Sequence, residues 1–156
     1  AFEPVDVRLA LSSALSMMEP QLKARVVRIT RSVPRQPVMV MADRIRLEQV
    51  IINLLRNALD ATKGTAEPRI DLALAVDDGV RLTVQDNGHG IADLDSLFEP
   101  FYTTKAAGEG VGLGLAISSG IVSDLGGRLT ARNGEGGGAV FEVRLPLLGR
   151  DVEAAE

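Results

Sequence analysis

The chain has 156 residues, with 17 Lys plus Arg against 21 Asp plus Glu and a formal net charge of −4. This length predicts one domain that buries its own core without a metal or disulfide, and the acidic balance argues against nucleic acid as a main partner. The chain contains no Cys and one His, so disulfides, thiol chemistry, zinc sites and His-based triads lack their usual groups.

The first part of the chain predicts a strand, a helix and two further strands. No apolar run is long enough to span a membrane, and no signal segment opens the sequence. Because it begins at Ala1 rather than with Met, we expect a piece of a longer protein. A short strand is expected at 5–7, then an amphipathic helix that ends before Pro20 or soon after it. Two strands should follow at 25–30 and 38–41.

The strongest helix signal begins at Asp43, a good N-cap, and runs to about Thr62. Alternating apolar residues at 70–76 and 80–84 predict a hairpin around a turn at 77–79. A glycine-rich, polar segment follows, and then the last three elements. These are a helix at 112–125 and two strands at 128–132 and 140–145.

This order of elements predicts an α+β two-layer sandwich, in which three helices cover one face of a mixed, mostly antiparallel sheet. Strict strand–helix alternation is missing, which argues against a doubly wound fold. We expect one domain at 1–148 and a polar C-terminal tail at 149–156.

Asn53 and Asn57 lie four residues apart on the second predicted helix and share one face, and Arg56 and Asp60 extend this polar stripe. Such a stripe is often only a solvated face. Asn is a poor helix former, however, and the rest of this helix is strongly apolar, which favours a polar face turned towards a cleft. Amide oxygens are suitable ligands for Mg²⁺, whose shell is completed by water and substrate phosphates.

A second candidate site follows the hairpin, with the sequence Asp86-Asn87-Gly88-His89-Gly90. A strand-to-loop turn alone explains these residue types. A carboxylate at a strand end also accepts a hydrogen bond from an exocyclic amine, which adenine carries where guanine has a carbonyl. Gly88 and Gly90 would let the backbone approach a flat ring closely, whereas His89 is interpreted as a variable loop residue.

Two glycine-rich segments complete the candidate motifs. The segment 108–115 leads into the third predicted helix, whose N-terminal N–H groups and dipole favour an anion. It is not a P-loop, since no Gly-Lys-Ser/Thr follows, and it is not a dinucleotide fingerprint, since a loop precedes it. The run 136–138 by itself predicts a hairpin turn.

In their order and spacing these motifs resemble those of the catalytic, ATP-binding domain of two-component histidine kinases, within the GHKL superfamily that includes gyrase. The resemblance covers essentially the whole chain and implies the Bergerat ATP-binding fold. The kinases that sense C4-dicarboxylates and nitrogen are the most similar. The matching segments are the N box at 53–58, the G1 box at 86–91, the F box at 98–105, the G2 box at 110–115 and the last glycine motif at 136–141.

Carried onto this sequence, the resemblance implies that Asn57 is the Mg²⁺ ligand, that Asn53 lies near the phosphates, and that Asp86 binds the adenine amine. Asn53 and Asn57 would be the catalytic residues. Lys105 lies in the lid expected at about 94–110, where a solvated loop lysine is an equal alternative. The other positions implied to contact nucleotide are Arg56, Asp60, Gly88, Gly90, Ile91, Lys105, Gly110, Val111, Gly112, Leu113 and Gly114.

The implied activity is that of a protein-histidine kinase, which positions Mg²⁺ and ATP for transfer of the γ-phosphoryl group to a His. That His would lie on a dimerisation hairpin, which nothing in this chain resembles. The ATPases of the superfamily carry Glu where this chain has Asn53, and an amide cannot act as a general base, so little hydrolysis is expected. The chain alone should bind ATP, remain monomeric and not autophosphorylate.

The implied partners are the chain's own dimerisation hairpin and a cognate response regulator, without nucleic acid or membrane contact by this chain. The implied location is the cytoplasm, in a protein anchored in the bacterial inner membrane. Two other functions stay open. One is a regulatory ATP-binding or protein-interaction module without transfer activity, and the other is a hydrolase of the same superfamily, which Asn53 disfavours.

Overall fold

The computed structural model describes residues 1–100 and 114–149, which form seven strands and three helices. Expected site residues at 105 and 110–113 therefore lie outside the described part of the chain. In chain order the elements are β1 (Glu3–Asp6), α1 (Val7–Ala24), β2 (Arg28–Ser32), β3 (Met39–Ala42), α2 (Arg44–Ala61), β4 (Arg69–Val76), β5 (Val80–Asp86), α3 (Gly114–Asp124), β6 (Arg128–Asn133) and β7 (Ala139–Leu145).

Five strands form one sheet in the order β2-β4-β5-β7-β6. β2 runs parallel to β4 and the other neighbours are antiparallel, so the sheet is mixed and mostly antiparallel. The three helices pack with this sheet around one apolar core. The α+β sandwich is confirmed. One detail was not expected, namely that β1 and β3 form a separate two-stranded antiparallel sheet.

The β4–β5 hairpin follows the predicted alternation. Ile70, Leu72 and Leu74 are buried in β4, while the residues between them are partly exposed. Leu82 and Val84 continue the same buried face in β5. The turn is closed by the Asp77 N–H, which donates to the Gly79 carbonyl at 2.9 Å. This hairpin carries Asp86 at its far end.

The helix α2 begins after Asp43, whose carboxylate accepts a hydrogen bond from the Arg46 N–H at 3.2 Å. It ends at Ala61, one residue before the expected Thr62. A broad apolar stripe of α2 is buried, which leaves a polar stripe for the site described below. The apolar members of the buried stripe are Leu47, Val50, Ile51, Leu54, Leu55, Ala58, Leu59 and Ala61.

The helix α1 continues through Pro20 to Ala24, a turn beyond the expected end. Proline removes one helical hydrogen bond, that of its own missing N–H. Here Pro20 is exposed, as is Ser16, whose carbonyl loses its helical donor, while Met18 and Leu22 are buried and hold the last turn. Burial of that face therefore outweighs the proline.

Two predicted strands begin or end elsewhere because helix caps occupy their residues. The strand expected at 25–30 begins at Arg28, since Val26 has a φ of 52° and ends α1. The N–H groups of Val26 and Val27 donate to carbonyls of that helix and are not free to pair with β4. The strand expected at 5–7 ends at Asp6, which is the N-cap of α1.

Candidate functional site

The polar stripe of α2 lies against α3. Asn53 is half-buried, and its Nδ2 donates to the hydroxyl oxygen of Ser118 at 3.1 Å. Ser118 is fully buried in α3, the helix that follows the glycine-rich segment. Asn53 thus makes a defined contact between two helices through its Nδ2, and the orientation of this stripe towards a cleft stays a prediction.

Asn57 and Asp60 are half-buried one and two turns further along α2, and Arg56 is exposed. No described residue donates to or accepts from the side chain of Asn57, so its amide oxygen is available to a ligand. The side chains of Asn53 and Asn57 are separated by one helical turn, about 5–6 Å between Cβ atoms. They offer two amide groups along one line.

Asp86 ends β5 and is 2% exposed. Its Oδ1 accepts two backbone hydrogen bonds, from the Gly88 N–H at 2.9 Å and from the Ala139 N–H at 3.3 Å. No described residue donates to Oδ2. Because every fully buried polar side-chain atom in the described residues has a partner, Oδ2 must keep some contact with solvent. One oxygen anchors the carboxylate, and the other is left for a donor from outside.

Burial raises the pKa of the Asp86 carboxyl, and the N–H donors of Gly88 and Ala139 oppose that shift. The two donors stabilise the charged form, while the apolar surroundings destabilise it. A buried carboxylate in this state gains strongly from one further donor, since hydrogen bonds to a charged group are stronger than neutral ones.

The G1 segment contacts the C-terminal end of α2. The His89 N–H donates to the Ala61 carbonyl at 3.2 Å, and a Cβ on Gly88 would collide with the same carbonyl oxygen. This close approach explains why glycine is needed at 88. It also joins the two candidate motifs, because Asn57 lies one turn before Ala61 on α2.

The last glycine motif forms the other wall. Gly138 has a φ of 75°, and a Cβ there would collide with the Asp86 carbonyl oxygen. Ala139 follows in β7 and supplies the N–H that binds Asp86. This contact is made by the backbone, so any residue type except proline could make it at position 139.

Asn133, the last residue of β6, holds the far end of the G1 segment. Its Oδ1 accepts from the Ile91 N–H at 2.7 Å, and its Nδ2 donates to the Ile91 carbonyl at 3.1 Å. The ideal Cβ position of Gly90 lies 2.9 Å from the same Oδ1. The segment 86–91 consequently runs across the end of β7, from β5 to β6.

The structure thus brings together most of the described residues that the sequence singled out. Asp86, Gly88, Gly90 and Ile91 lie in one segment against the α2 end, near Asn57 and Asp60. Lys105, Gly110, Val111, Gly112 and Leu113 lie outside the described residues. Gly114 is the exposed first residue of α3. His89 is exposed, and its Nδ1 lies 2.7 Å from the Gly90 carbonyl oxygen, as fits a loop residue.

Sequence reasoning missed Ser118 and Asn133. Ser118 reads as one polar residue in a small-residue helix, and Asn133 before Gly134 reads as a turn signal. Their partners are 65 and 42 residues away, respectively. Without a fold, neither local pattern indicates these contacts.

Within residues 1–100 and 114–149, no three His, Asp or Glu side chains form a cluster that could hold a metal ion. A Mg²⁺ ion bound through substrate phosphates and water needs only one or two protein oxygens. The uncommitted amide oxygen of Asn57 fits such an ion. No described helix is both long and apolar enough to cross a membrane.

A cleft of about 510 Å³ lies elsewhere, between α1 and β2. Its walls are mainly apolar side chains, among them Leu15, Leu22, Val27 and Ile29. None of the motif residues lines it, so its size alone gives it no part in the candidate site.

The family model of the histidine kinase-, DNA gyrase B- and HSP90-like ATPases matches residues 42–149. The chain is 44% identical over 92% of its length to the two-component sensor PprA of Pseudomonas aeruginosa, and 45% identical over 94% to the C4-dicarboxylate transport sensor DctB of the same organism. It spans only 16% and 24% of the lengths of these two relatives.

Solved structures show the same fold. The catalytic domain of the histidine kinase ThkA superposes with a TM-score of 0.82 at 30% identity, covering 94% of this chain and 96% of that one. ThkA in complex with the response regulator TrrA matches with a TM-score of 0.79 at 27% identity, covering 94% of this chain and 42% of that one. The chain therefore belongs to the family of histidine kinase-, DNA gyrase B- and HSP90-like ATPases, as a domain of the kind that sensor histidine kinases carry.

Proposed function

We propose that this domain binds ATP with Mg²⁺ and presents the γ-phosphoryl group to a histidine on a dimerisation hairpin of the same protein. The observation that carries the proposal is the state of Asp86. Its Oδ1 is fixed by two backbone donors, whereas Oδ2 has no donor among the described residues and keeps contact with solvent. A buried carboxylate with one unused oxygen matches an exocyclic amine.

This arrangement favours adenine over guanine. Adenine presents an amine that donates to Oδ2, whereas guanine presents a carbonyl oxygen that the carboxylate repels. A site built to accept a hydrogen bond rejects a ligand that cannot donate one, because the buried acceptor then stays unpaired. Gly88, Gly90 and Ile91 would form the backbone surface beside the ring.

The phosphates would lie along α2. Asn57 and Asn53 lie roughly 6 and 12 Å from Ala61 along the helix axis, on the line that leads away from the base. Asn57 would hold Mg²⁺, which supplies charge neutralisation for the phosphate oxygens. Arg56 and Asp60 would lie beside this end, and the segment 105–114 would complete it with Lys105 and the glycines.

Transfer rather than hydrolysis follows from the chemistry of Asn53. In the reaction, an imidazole nitrogen of the acceptor forms a bond to the γ-phosphorus, and the bond to the β–γ bridging oxygen breaks, so that ADP leaves. The protein has to position the two reactants and neutralise charge. An amide at position 53 takes no proton from water, so hydrolysis should be slow.

The proposed partners are a dimerisation hairpin that carries the acceptor His and a response regulator that receives the phosphoryl group. Two findings support them, namely the sensor relatives, which are much longer than this chain, and the solved complex of ThkA with TrrA. We place the domain in the cytoplasm, within a protein anchored in the inner membrane, since its much longer relatives are named as sensors.

Calorimetric titration with ATP and with GTP, with and without Mg²⁺, tests the binding half of the proposal. ATP should bind in the presence of Mg²⁺ and GTP should bind at least about 30-fold more weakly. Asp86→Asn should weaken ATP binding roughly 10- to 100-fold, whereas Asp78→Asn, in the exposed β4–β5 turn at the other end of the hairpin, should not. Equal binding of both nucleotides, or none by the folded wild type, would refute the adenine assignment.

Phosphoryl transfer is tested in a chain that includes the acceptor hairpin, with γ-labelled ATP. Label that is stable to base and lost in acid should appear on the hairpin, and phosphate release by the isolated domain should be far slower. Tight ATP binding without any label on the hairpin would favour a regulatory ATP-binding module. Steady phosphate release by the isolated domain would favour a hydrolase.

A further inference from the structure

The segment 86–91 is held at both ends by side chains rather than by a regular strand. At its start, Asp86 is fixed by Gly88 and Ala139. At its end, the side chain of Asn133 bonds both backbone groups of Ile91, at 2.7 and 3.1 Å. Asn133 takes the place that a neighbouring strand would take in a ladder.

The geometry between these anchors leaves the segment little freedom. Gly90 has a φ of 79°, and its ideal Cβ position lies 2.9 Å from Asn133 Oδ1 and 3.5 Å from the Gly138 carbonyl oxygen. Ile91 is half-buried and its side chain packs against the core, which holds the segment on that side. Among the described residues, the Asn133 amide is the group that bonds the backbone of Ile91.

Asn133 is not among the residues expected to contact nucleotide, and its side chain bonds the backbone of Ile91. It pairs with Ala139 in the β6–β7 ladder, and Ala139 in turn binds Asp86. One row of residues across the sheet, Asp86, Ala139 and Asn133, therefore sets both ends of the segment. Both amide atoms of Asn133 are used on Ile91, so its orientation is determined.

We infer that Asn133 is a positioning residue of the adenine site, which acts through the backbone of Gly90 and Ile91. This inference rests on the proposed ATP-binding function and adds a residue to it. Loss of the two Asn133 bonds to Ile91 leaves Asp86 and its donors in place but frees the backbone of Gly90 and Ile91, which we call the far wall of the site. The ordering of that wall then has to occur on binding, which weakens affinity.

The test compares Asn133→Ala, Asn133→Asp and the wild type by calorimetry with ATP and with ADP. Asn133→Ala removes both bonds and should weaken both nucleotides by the same factor, roughly tenfold. Asn133→Asp keeps the acceptor for the Ile91 N–H but points an oxygen at the Ile91 carbonyl, so an intermediate loss is expected. Amide hydrogen exchange should show faster exchange at Ile91 in the Ala variant only.

Thr30→Val is the matched control. It removes an exposed side-chain hydrogen bond of another kind, from Thr30 Oγ1 in β2 to Asp71 Oδ1 in β4 at 2.6 Å. The strand β2 lies at the edge of the sheet opposite to β6, which carries Asn133. Urea unfolding confirms that every variant is folded during the titrations. The control should bind both nucleotides as the wild type does.

The outcomes separate the two proposals. If the folded wild type binds no ATP, the proposed function fails and this inference fails with it. If the wild type binds and Asn133→Ala binds equally well, only the inference is overturned. A loss confined to ATP and absent for ADP would place the effect at the γ-phosphate and would also overturn it.

Discussion

The side-chain amide of Asn53 donates to the hydroxyl of Ser118 at 3.1 Å, and this bond joins α2 to α3. Ser118 is fully buried and comes one turn after the start of α3. The bond leaves Asn53 Oδ1 without a partner among the described residues. The direction in which that oxygen points is therefore set by a residue of the helix that follows the glycine-rich segment.

Ser118→Ala should lower the free energy of unfolding by about 1 kcal/mol, because it leaves the Asn53 amide without its acceptor. ATP affinity should fall by about three- to tenfold, since Asn53 is then free to rotate. Urea unfolding and calorimetry measure the two effects. Ser119→Ala, at the next position of the same helix, is the control and should change neither quantity. An unchanged affinity in Ser118→Ala would show that Asn53 needs no fixed orientation.

Asp86→Asn should separate stability from binding. The raised pKa of Asp86 means that the folded chain holds its proton to a higher pH than the unfolded chain does. Its contribution to stability is thus fully present below the unfolded pKa and is lost as pH rises through the folded pKa. At pH 7 the Asn variant should unfold with a free energy higher by about 1 kcal/mol, while ATP affinity falls roughly 10- to 100-fold.

The measurement is urea unfolding of the wild type and Asp86→Asn at several pH values between 4 and 7. The advantage of the variant should shrink as the pH falls, because the wild-type carboxyl becomes protonated. A variant less stable than the wild type at pH 7 would show that the two backbone donors outweigh burial.

Val26→Gly should raise the free energy of unfolding by about 0.5–1 kcal/mol. Val26 is β-branched, 81% exposed and has a φ of 52°. Its left-handed backbone conformation is strained, and burial of its side chain does not offset that strain. Glycine adopts that conformation without strain, although it gives the unfolded chain more freedom. Val76→Gly, at an exposed strand end, is the control and should be destabilising. A loss of stability in Val26→Gly would mean that the valine contributes contacts worth more than its strain.

Asp6→Ala should cost about 1–2 kcal/mol at neutral pH. The carboxylate caps α1 through the Arg8 N–H, accepts the Val38 N–H at 3.1 Å, and pairs with the Arg8 guanidinium. Hydrogen bonding from Arg8 is the main cause that lowers the pKa of Asp6. The stabilisation is therefore present above the unfolded pKa and disappears as pH falls through the folded pKa.

Thermal unfolding of the wild type and Asp6→Ala from neutral to acidic pH measures the difference in melting temperature. The two melting temperatures should converge in acid. Asp78→Ala, in the exposed β4–β5 turn, serves as the comparison and should leave the melting temperature nearly unchanged. A difference that persists undiminished in acid would show that the cap does not depend on the charge.

Local patterns were sufficient for the elements whose cause is local. The N-cap at Asp43, the apolar stripe of α2 and the alternation of β4 and β5 each act within a few residues, and each is confirmed. The segment after Asp86 was also recognised from its glycines. Close approach to Ala61 and to Asp86 gives two of those glycines their reason.

What the sequence could not supply depends on which elements meet. Pro20 lies inside α1 because burial of Met18 and Leu22 outweighs one lost hydrogen bond, and that burial needs the folded core. The partners of Ser118 and Asn133 are far away along the chain. The hydrogen bonds that define the site are therefore products of the topology.

The two ends of β5 lie far apart, with the β4–β5 turn before its first residue and Asp86 at its last. Asp86 lies roughly 20 Å from Val80, the residue after the turn at Asp77–Gly79, because six residue steps of an extended strand separate them. Among the described residues, those of the 86–91 segment that are proposed to contact nucleotide lie at the Asp86 end, and Asp77 and Asp78 in the turn at the other end are exposed. That turn is therefore a suitable attachment site. A dye, an immobilisation tag or a short peptide inserted at Asp78 would report on the domain or tether it without contacting the proposed nucleotide site.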